Sequence, residues 1–281
     1  SIGGFVPEIG KCKLCNKQKD LQLSHAVGDS VFKKVFRTNS GKAISITSGD
    51  EGIGYCSDSW AEHQLCADCE KLLNSEYEKY SLGVLRGQNC TFSRSNLGLS
   101  FSGLDQHKLV IYFLSIYWRA ANSGHPAYKN VVILEQDNEY LRNAIFSNLK
   151  IPSRKFSVKV SRVIDLSESK GFTSESIKEF IVSPFCRIHE DHKVNNISVC
   201  FMFEGFFIEV YIKALTMKER KKYGVLSKAK STLVIPYLNL FDIEEIVDLM
   251  VTGYGKHIEG NSRIKANKSR QKDASKAGAS A

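Results

Sequence analysis

Two short stretches carry cysteine pairs at one spacing: Cys12 and Cys15 in "KCKLC", and Cys66 and Cys69 in "LCADCE". A CxxC turn aims two sulfurs at one point, so two such pairs make a four-thiolate set suited to tetrahedral Zn²⁺. A CxxC can also be a dithiol redox pair, but that use wants a strand-to-helix setting of the thioredoxin kind, and neither flank shows one. The bland alternative is four unrelated buried thiols. Metal ligation is the reading that uses all four residues, and a doubled CxxC is specific where a single one is not. The 50 residues between Cys15 and Cys66 are long for a simple zinc ribbon, so further structure must fold between the pairs. The other cysteines, Cys56, Cys90, Cys186 and Cys200, read as buried reduced thiols.

The elements that must hold these sulfurs can be read from hydrophobic periodicity. "LQLSHAV" alternates as a short strand, and "DSVFKKVF" places Val31, Phe32, Val35 and Phe36 at helical spacing. The polar, glycine-rich run 37–60 predicts a loop or flexible hairpin. A helix is predicted to start at the second cysteine pair. Residues 104–121 are apolar on nearly every face, which predicts a buried central helix capped by Asp105. A further helix is expected over 138–150, stopped by Pro152. Five apolar or alternating runs, 156–166, 179–188, 197–205, 206–215 and 231–238, predict strands. An amphipathic helix over 241–255 closes the body, with Asp242 as its cap and Gly253 or Gly255 as its stop. The fold class is therefore α+β, in three parts: a cysteine module over 1–80, a helical and antiparallel-β body over 81–255, and a tail over 256–281.

Composition narrows the partners. The chain of 281 residues carries a formal net charge of +9, which favours an acidic partner, nucleic acid first. The tail holds seven Lys/Arg against two acids and almost nothing apolar, so it is expected to be disordered. Its Lys265, Lys268, Arg270 and Lys272 are the expected nucleic-acid contacts. No apolar run reaches membrane-spanning length and "SIGGFVPEIG" lacks signal-peptide character, so a cytoplasmic protein without a membrane partner is expected. A protein partner and the oligomeric state are left open. Two other polar groups invite attention. "RIHEDHK" offers His189 and His192 beside carboxylates, but between two strands it reads as a polar turn. "YWRAA" sets Arg119 on the buried helix, where a structural carboxylate partner is favoured over a phosphate.

The layout "CKLCNKQKDLQLSHAV", then a variable insert, then "QLCADCEKLLNSEYE" resembles the HNH (ββα-metal) endonucleases built on a four-cysteine zinc knuckle. With "LVIYFLSIYWRA" included, it looks like a bacterial group of HNH-like proteins in which the module heads a larger helical and β-rich body. The resemblance covers 11–80 and, more faintly, 105–145. It implies a treble-clef-like ββα-metal module, a structural zinc on Cys12, Cys15, Cys66 and Cys69, and His25 as general base. It also implies a hydrolytic Mg²⁺ or Mn²⁺ held from the helix after the second CxxC, where Glu70, Asn74 and Glu78 share one face. A solvated acidic face is the alternative for that set, most evenly balanced at Glu78.

The sequence departs from the family at three places. Ser24 stands where a metal-binding Asp, Glu or His usually precedes the base, Gly28 replaces a common proline, and Glu70 replaces the usual Asn or His. His63 could supply a missing ligand, with a surface histidine the plainer reading. The expected function is a metal-dependent endonuclease acting on DNA. Against it stands a non-catalytic zinc-stabilised DNA-binding or adaptor protein, which Ser24 and Gly28 favour. RNA as substrate is a third reading, and a role in antiviral defence follows only by analogy with the family's company.

Overall fold

The computed structural model describes residues 8–38, 43–46, 53–56, 60–168, 171–189, 196–213, 215–248 and 250–251. The first cysteine pair sits in the turn between strands β1 (Glu8–Lys11) and β2 (Gln18–His25), which pair antiparallel. In that turn the Asn16 N–H donates to the Cys12 carbonyl at 2.8 Å, and the Cys12 N–H donates to the Lys17 carbonyl at 2.9 Å. Asn16 takes a φ of 60°, a left-handed conformation that Asn tolerates better than most residues.

Helix α1 (Asp29–Thr38) follows and buries Val31, Phe32 and Val35. Next come β3 (Ala43–Ile46), β4 (Ile53–Cys56) and β5 (Ala61–Cys66). The run expected as a loop or flexible hairpin thus contains two paired strands, and β3 also pairs in parallel with a strand of the body. Strand β5 pairs antiparallel with β2 and leads directly into the helix carrying Cys69.

That helix has three consecutive parts: α2 (Ala67–Leu73), a π-helical turn (Asn74–Glu78) and α3 (Lys79–Leu85). Its burial pattern explains the π turn. Cys69, Leu73, Tyr77, Ser81 and Leu85 are buried at four-residue steps. Each such step overshoots a full α-helical turn by about 40°. The wider i→i+5 turn takes back part of that drift and keeps the row facing the core. Residue 80, the expected end of the cysteine module, falls inside α3.

Strands β6 (Thr91–Ser95) and β7 (Gly98–Ser102) form a hairpin that hydrophobic periodicity did not single out. Helix α4 (Gln106–Ala121) is the buried central helix. Its cap is Asp105, whose carboxylate accepts from the His107 and Lys108 N–H groups at 3.1 and 3.4 Å. Helix α5 (Glu135–Phe146) begins and ends earlier than the run up to Pro152 suggested. Then come β8 (Ser157–Ile164), the short α6 (Ser174–Lys178), β9 (Phe180–His189), β10 (Asn196–Phe203), β11 (Phe206–Tyr211) and β12 (Leu233–Asn239).

Two sheets result, one of order β1-β2-β5 and one of order β4-β3-β9-β10-β11-β8-β12-β7-β6. The larger is antiparallel except at β3–β9 and β8–β12, which run parallel; β8–β12 corrects the expected antiparallel body, and β3–β9 joins a strand from the first eighty residues to it. Helix α4 lies against one face, with Tyr112 edge-on to Phe203 at 6.4 Å and Phe113 against Phe201 at 6.3 Å. Each such fully buried side chain stabilises the fold by roughly 1.5–3 kcal/mol. Leu240, Ile243 and Ile246 cover Met202 and Phe207 on the other face. Here Asp242 lies in a 3₁₀ turn and the final helix begins at residue 244, so Asp242 is not its cap. Cys200 is buried as expected, whereas Cys90 and Cys186 are half-buried; Cys56 has no described side chain.

Candidate metal centre and adjoining cleft

The sulfurs of Cys12, Cys15, Cys66 and Cys69 all lie within 4.8 Å of one another, a cluster able to hold a metal ion. Local backbone places them. The β1–β2 turn presents the first pair, and the β5-to-α2 junction presents the second, with the Cys66 N–H donating to Cys12 Sγ at 3.3 Å. Burial opposes the Cys12 thiolate, yet N–H groups of Cys15, Cys66 and Leu14 outweigh it and bring its pKa down to about 7. Burial raises the Cys66 and Cys69 thiols instead. A cluster with one thiolate already favoured is poised for a cation that would draw off the remaining protons. The body clamps the turn from outside, since Arg142 of α5 donates to the Leu14 carbonyl at 2.9 Å and Lys13 Nζ donates to the Asn122 carbonyl.

Next to the cysteines is a cleft of about 270 Å³. His25, Glu70, Asn74 and Glu78 line it, so the residues singled out from two separate segments meet in one place. The start of α1 (Gly28, Asp29, Ser30, Lys33) and Arg119 of α4 complete the wall. Among the described residues, the cysteines are the group of three or more His, Cys, Asp or Glu whose donor atoms converge tightly; those of His25, Glu70 and Glu78 share a cleft without doing so. Burial holds His25 below the ordinary histidine pKa of 6.5, and Arg119 adds to that, against the opposing pull of Asp29, Glu70 and Glu78. The imidazole is therefore neutral at physiological pH, the form that accepts a proton.

The carboxylates on the helix face differ. Glu78 is buried, and Ser30 Oγ donates to its Oε1 at 2.8 Å. It also explains Gly28: a Cβ there would stand 2.3 Å from Glu78 Oε1. Glu70 is only loosely engaged. Its Oε2 is 3.8 Å from Arg119 Nη1, and its buried Oε1 has no hydrogen-bond partner among the described residues.

Ser24 is committed elsewhere. The β2–β5 register slips between Gln22 and Leu23 because β5 carries one extra residue, Gln64, a β-bulge. The Leu65 N–H beside the bulge donates to Ser24 Oγ at 3.1 Å, which keeps the buried hydroxyl in the strand pair and off the cleft lining. His63 is partly buried and pairs with Glu8 at 3.0 Å, away from the cleft lining. His189 bonds Ser198 Oγ at 2.8 Å and stacks on Tyr211, and it ends β9 rather than forming a turn. His192 and the tail residues Lys265, Lys268, Arg270 and Lys272 lie outside the described residues.

Three cleft residues, Asp29, Ser30 and Lys33, were not singled out in the sequence; Arg119 was, with a structural carboxylate favoured over a phosphate. The "DS" before an apolar helical run marks a helix start but says nothing of a cleft. The carboxylate that faces Arg119 is Glu70, 3.8 Å away and beyond hydrogen-bond reach. No helix of the described residues is long and apolar enough to cross a membrane. The chain matches no family model, no curated protein and no solved structure.

Proposed function

We propose that this protein is a metal-dependent endonuclease of the HNH (ββα-metal) type that hydrolyses DNA, with a structural zinc on the four cysteines. The observation that carries the reading is the cleft in which a neutral, half-buried His25 shares a wall with Glu70, whose Oε1 is buried and unpartnered among the described residues. The strand pair β2–β5 leading into α2 supports it, with the histidine at the end of the first strand.

Zinc suits the cysteines on geometry. Zn–S bonds of 2.3 Å in a tetrahedron place sulfurs about 3.8 Å apart. Cys15 and Cys66 Sγ are 3.9 Å apart. Elemental analysis of protein purified without chelator is expected to give one zinc per chain; none would end the zinc assignment.

In the cleft, Glu70 and Asn74 are the oxygen ligands we assign to Mg²⁺ or Mn²⁺, and the orphaned Glu70 Oε1 is the atom that calls for a cation. Such an ion, when bound, polarises the scissile phosphate and stabilises the departing oxygen. His25 accepts a proton from water as the water oxygen bonds to phosphorus, and the bond from phosphorus to one bridging oxygen breaks. That oxygen leaves as a hydroxyl after taking a proton from solvent. Glu78, held by Ser30 and packed on Gly28, keeps the start of α1 against the cleft and is not assigned to the ion. The net charge of +9 supports a polyanionic substrate.

The test is plasmid nicking by purified protein with Mg²⁺ or Mn²⁺, abolished by EDTA. A zinc-loaded, folded protein that binds DNA and nicks nothing with any divalent ion would support the second reading, a DNA-binding adaptor. One observation favours that reading: Ser24, locked into the β-bulge, leaves the position before His25 without a ligand.

A further inference from the structure

Arg119 comes from α4, far outside the cysteine frame, yet it reaches the cleft wall beside His25 and Glu70. Its side chain is 3 % exposed, but its five donors are poorly used. Nη2 donates to the Ala26 carbonyl at 3.1 Å. Nη1 stands 3.8 Å from Glu70 Oε2, too far for a hydrogen bond, and Nε finds no partner among the described residues. Glu70 mirrors this with its own buried orphan, Oε1.

A buried guanidinium and a half-buried carboxylate with one buried oxygen, this close, would normally close on each other, because leaving a buried polar atom unpaired is costly. Here the two stay apart with one unmet valence each. The other cleft carboxylates do not meet Arg119's need, for Asp29 is paired with Lys33 at 2.5 Å and Glu78 takes the Ser30 hydroxyl. An anion would satisfy the guanidinium and a cation would satisfy the carboxylate. A phosphate and a divalent ion arriving together supply both.

We propose that Arg119 is a catalytic residue that grips a non-bridging oxygen of the phosphate in this cleft, so that the site is shared between the cysteine frame and the body. The planar, permanently charged guanidinium suits a phosphate oxygen better than an ammonium does. Naming a phosphodiester as the substrate rests on the nuclease reading; the anion site itself rests on the contacts of Arg119.

Two measurements on the full chain test it, with zinc content and melting temperature recorded for each variant. The first follows inorganic phosphate by phosphorus NMR in the presence of Mn²⁺, where phosphate held near the bound ion broadens. Wild type is expected to broaden the signal and Arg119→Gln to lose most of the effect, with Arg119→Lys between them. The second is single-turnover plasmid cleavage, where Arg119→Gln is expected to lose about 10²-fold or more in rate, the scale of removing one positioned donor. Added guanidinium ion should recover part of that loss, while DNA affinity stays within a few-fold. Phosphate broadening that is absent in wild type, or unchanged in a folded Arg119→Gln, would overturn the proposal. So would cleavage within about threefold of wild type, far short of such a donor's weight. If Arg119→Gln loses zinc or fold, Arg119→Lys decides: a folded lysine variant equal to wild type in both measurements makes Arg119 a brace for the bend after β2. Arg119-dependent phosphate binding without any cleavage by wild type would keep the anion site and sink the nuclease reading.

Discussion

Two arginines in this molecule, Arg119 buried and Arg187 partly buried, face carboxylates, and they do so in opposite ways. Arg187 on β9 is closed off: Nε and Nη2 donate to Glu245 at 2.6 and 2.5 Å, and Nη1 reaches Glu209 at 3.4 Å. Glu209 is buried and equally satisfied, accepting from Lys159 at 3.0 Å and from the Tyr211 hydroxyl at 3.2 Å. Arg119 and Glu70, in contrast, approach no nearer than 3.8 Å and leave Nε and Oε1 without partners among the described residues. The residue types are the same. What differs is satisfaction: the first cluster ties the final helix to the sheet, and the second keeps valences open where a ligand can enter.

This contrast can be broken by experiment. The largest effects are expected on chemistry at the open pair. His25→Ala and Glu70→Ala should each lower plasmid cleavage by about 10²-fold or more, the weight of a positioned base or ligand. Zinc content and melting temperature should stay near wild type, since neither residue holds the knuckle. A Glu70→Ala variant that melts far lower yet cleaves normally would place Glu70 with the closed cluster.

The reverse pattern is expected at the closed pair. Glu209→Ala strands Lys159 and Arg187 without their shared carboxylate, and should cost about 3 kcal/mol in denaturant unfolding. Cleavage per folded molecule should not change. If the variant lost activity while remaining folded, the two regions would be coupled rather than separate.

A smaller effect is expected from pH. The His25 pKa is depressed in the folded state, mainly by burial, so the unfolded chain binds the proton more readily near pH 6.5. Its contribution to stability is fully present above 6.5 and is lost as pH falls through that value toward the lower folded pKa. The acid limb of the cleavage–pH profile should accordingly lie below 6.5. A limb above that value would assign the titration to another group. The smallest effect is expected for Ser30→Ala, which removes one hydrogen bond to Glu78 and should cost about 1 kcal/mol, with cleavage changed only a few-fold. A loss as large as that of Glu70→Ala would move Glu78 into the ion-binding set.

Much of the frame was legible in the residues alone. The doubled CxxC foretold a shared cluster, because each pair is placed by its own turn and only the meeting of two turns had to be supplied. The four-residue spacing of Glu70, Asn74 and Glu78 foretold one face, although the π turn that maintains it was not foreseen. Apolar runs foretold β8 to β12, since β10 and β11 are buried on both faces of the sheet and carry almost continuous hydrophobics. The run 37–60, expected as a loop or flexible hairpin, holds the antiparallel pair 43–46 and 53–56, whereas the parallel pairing of 43–46 with β9 was not expected. The run around them is polar and glycine-rich, and pairing with β9 across more than a hundred residues outweighed that local signal.

Sequence by itself determined the cysteine set, the histidine that ends β2 and the acidic row on the following helix, because each depends on neighbours a few residues away. Tertiary structure alone decided which of these groups remain open. It drew Ser24 into the bulge beside Gln64, set Glu78 against Gly28, and brought Arg119 to the Ala26 carbonyl across 93 positions of chain. Spacing records which side chains can share a face. Whether a buried charge is satisfied depends on atoms contributed by distant segments, and only the packed chain brings those together.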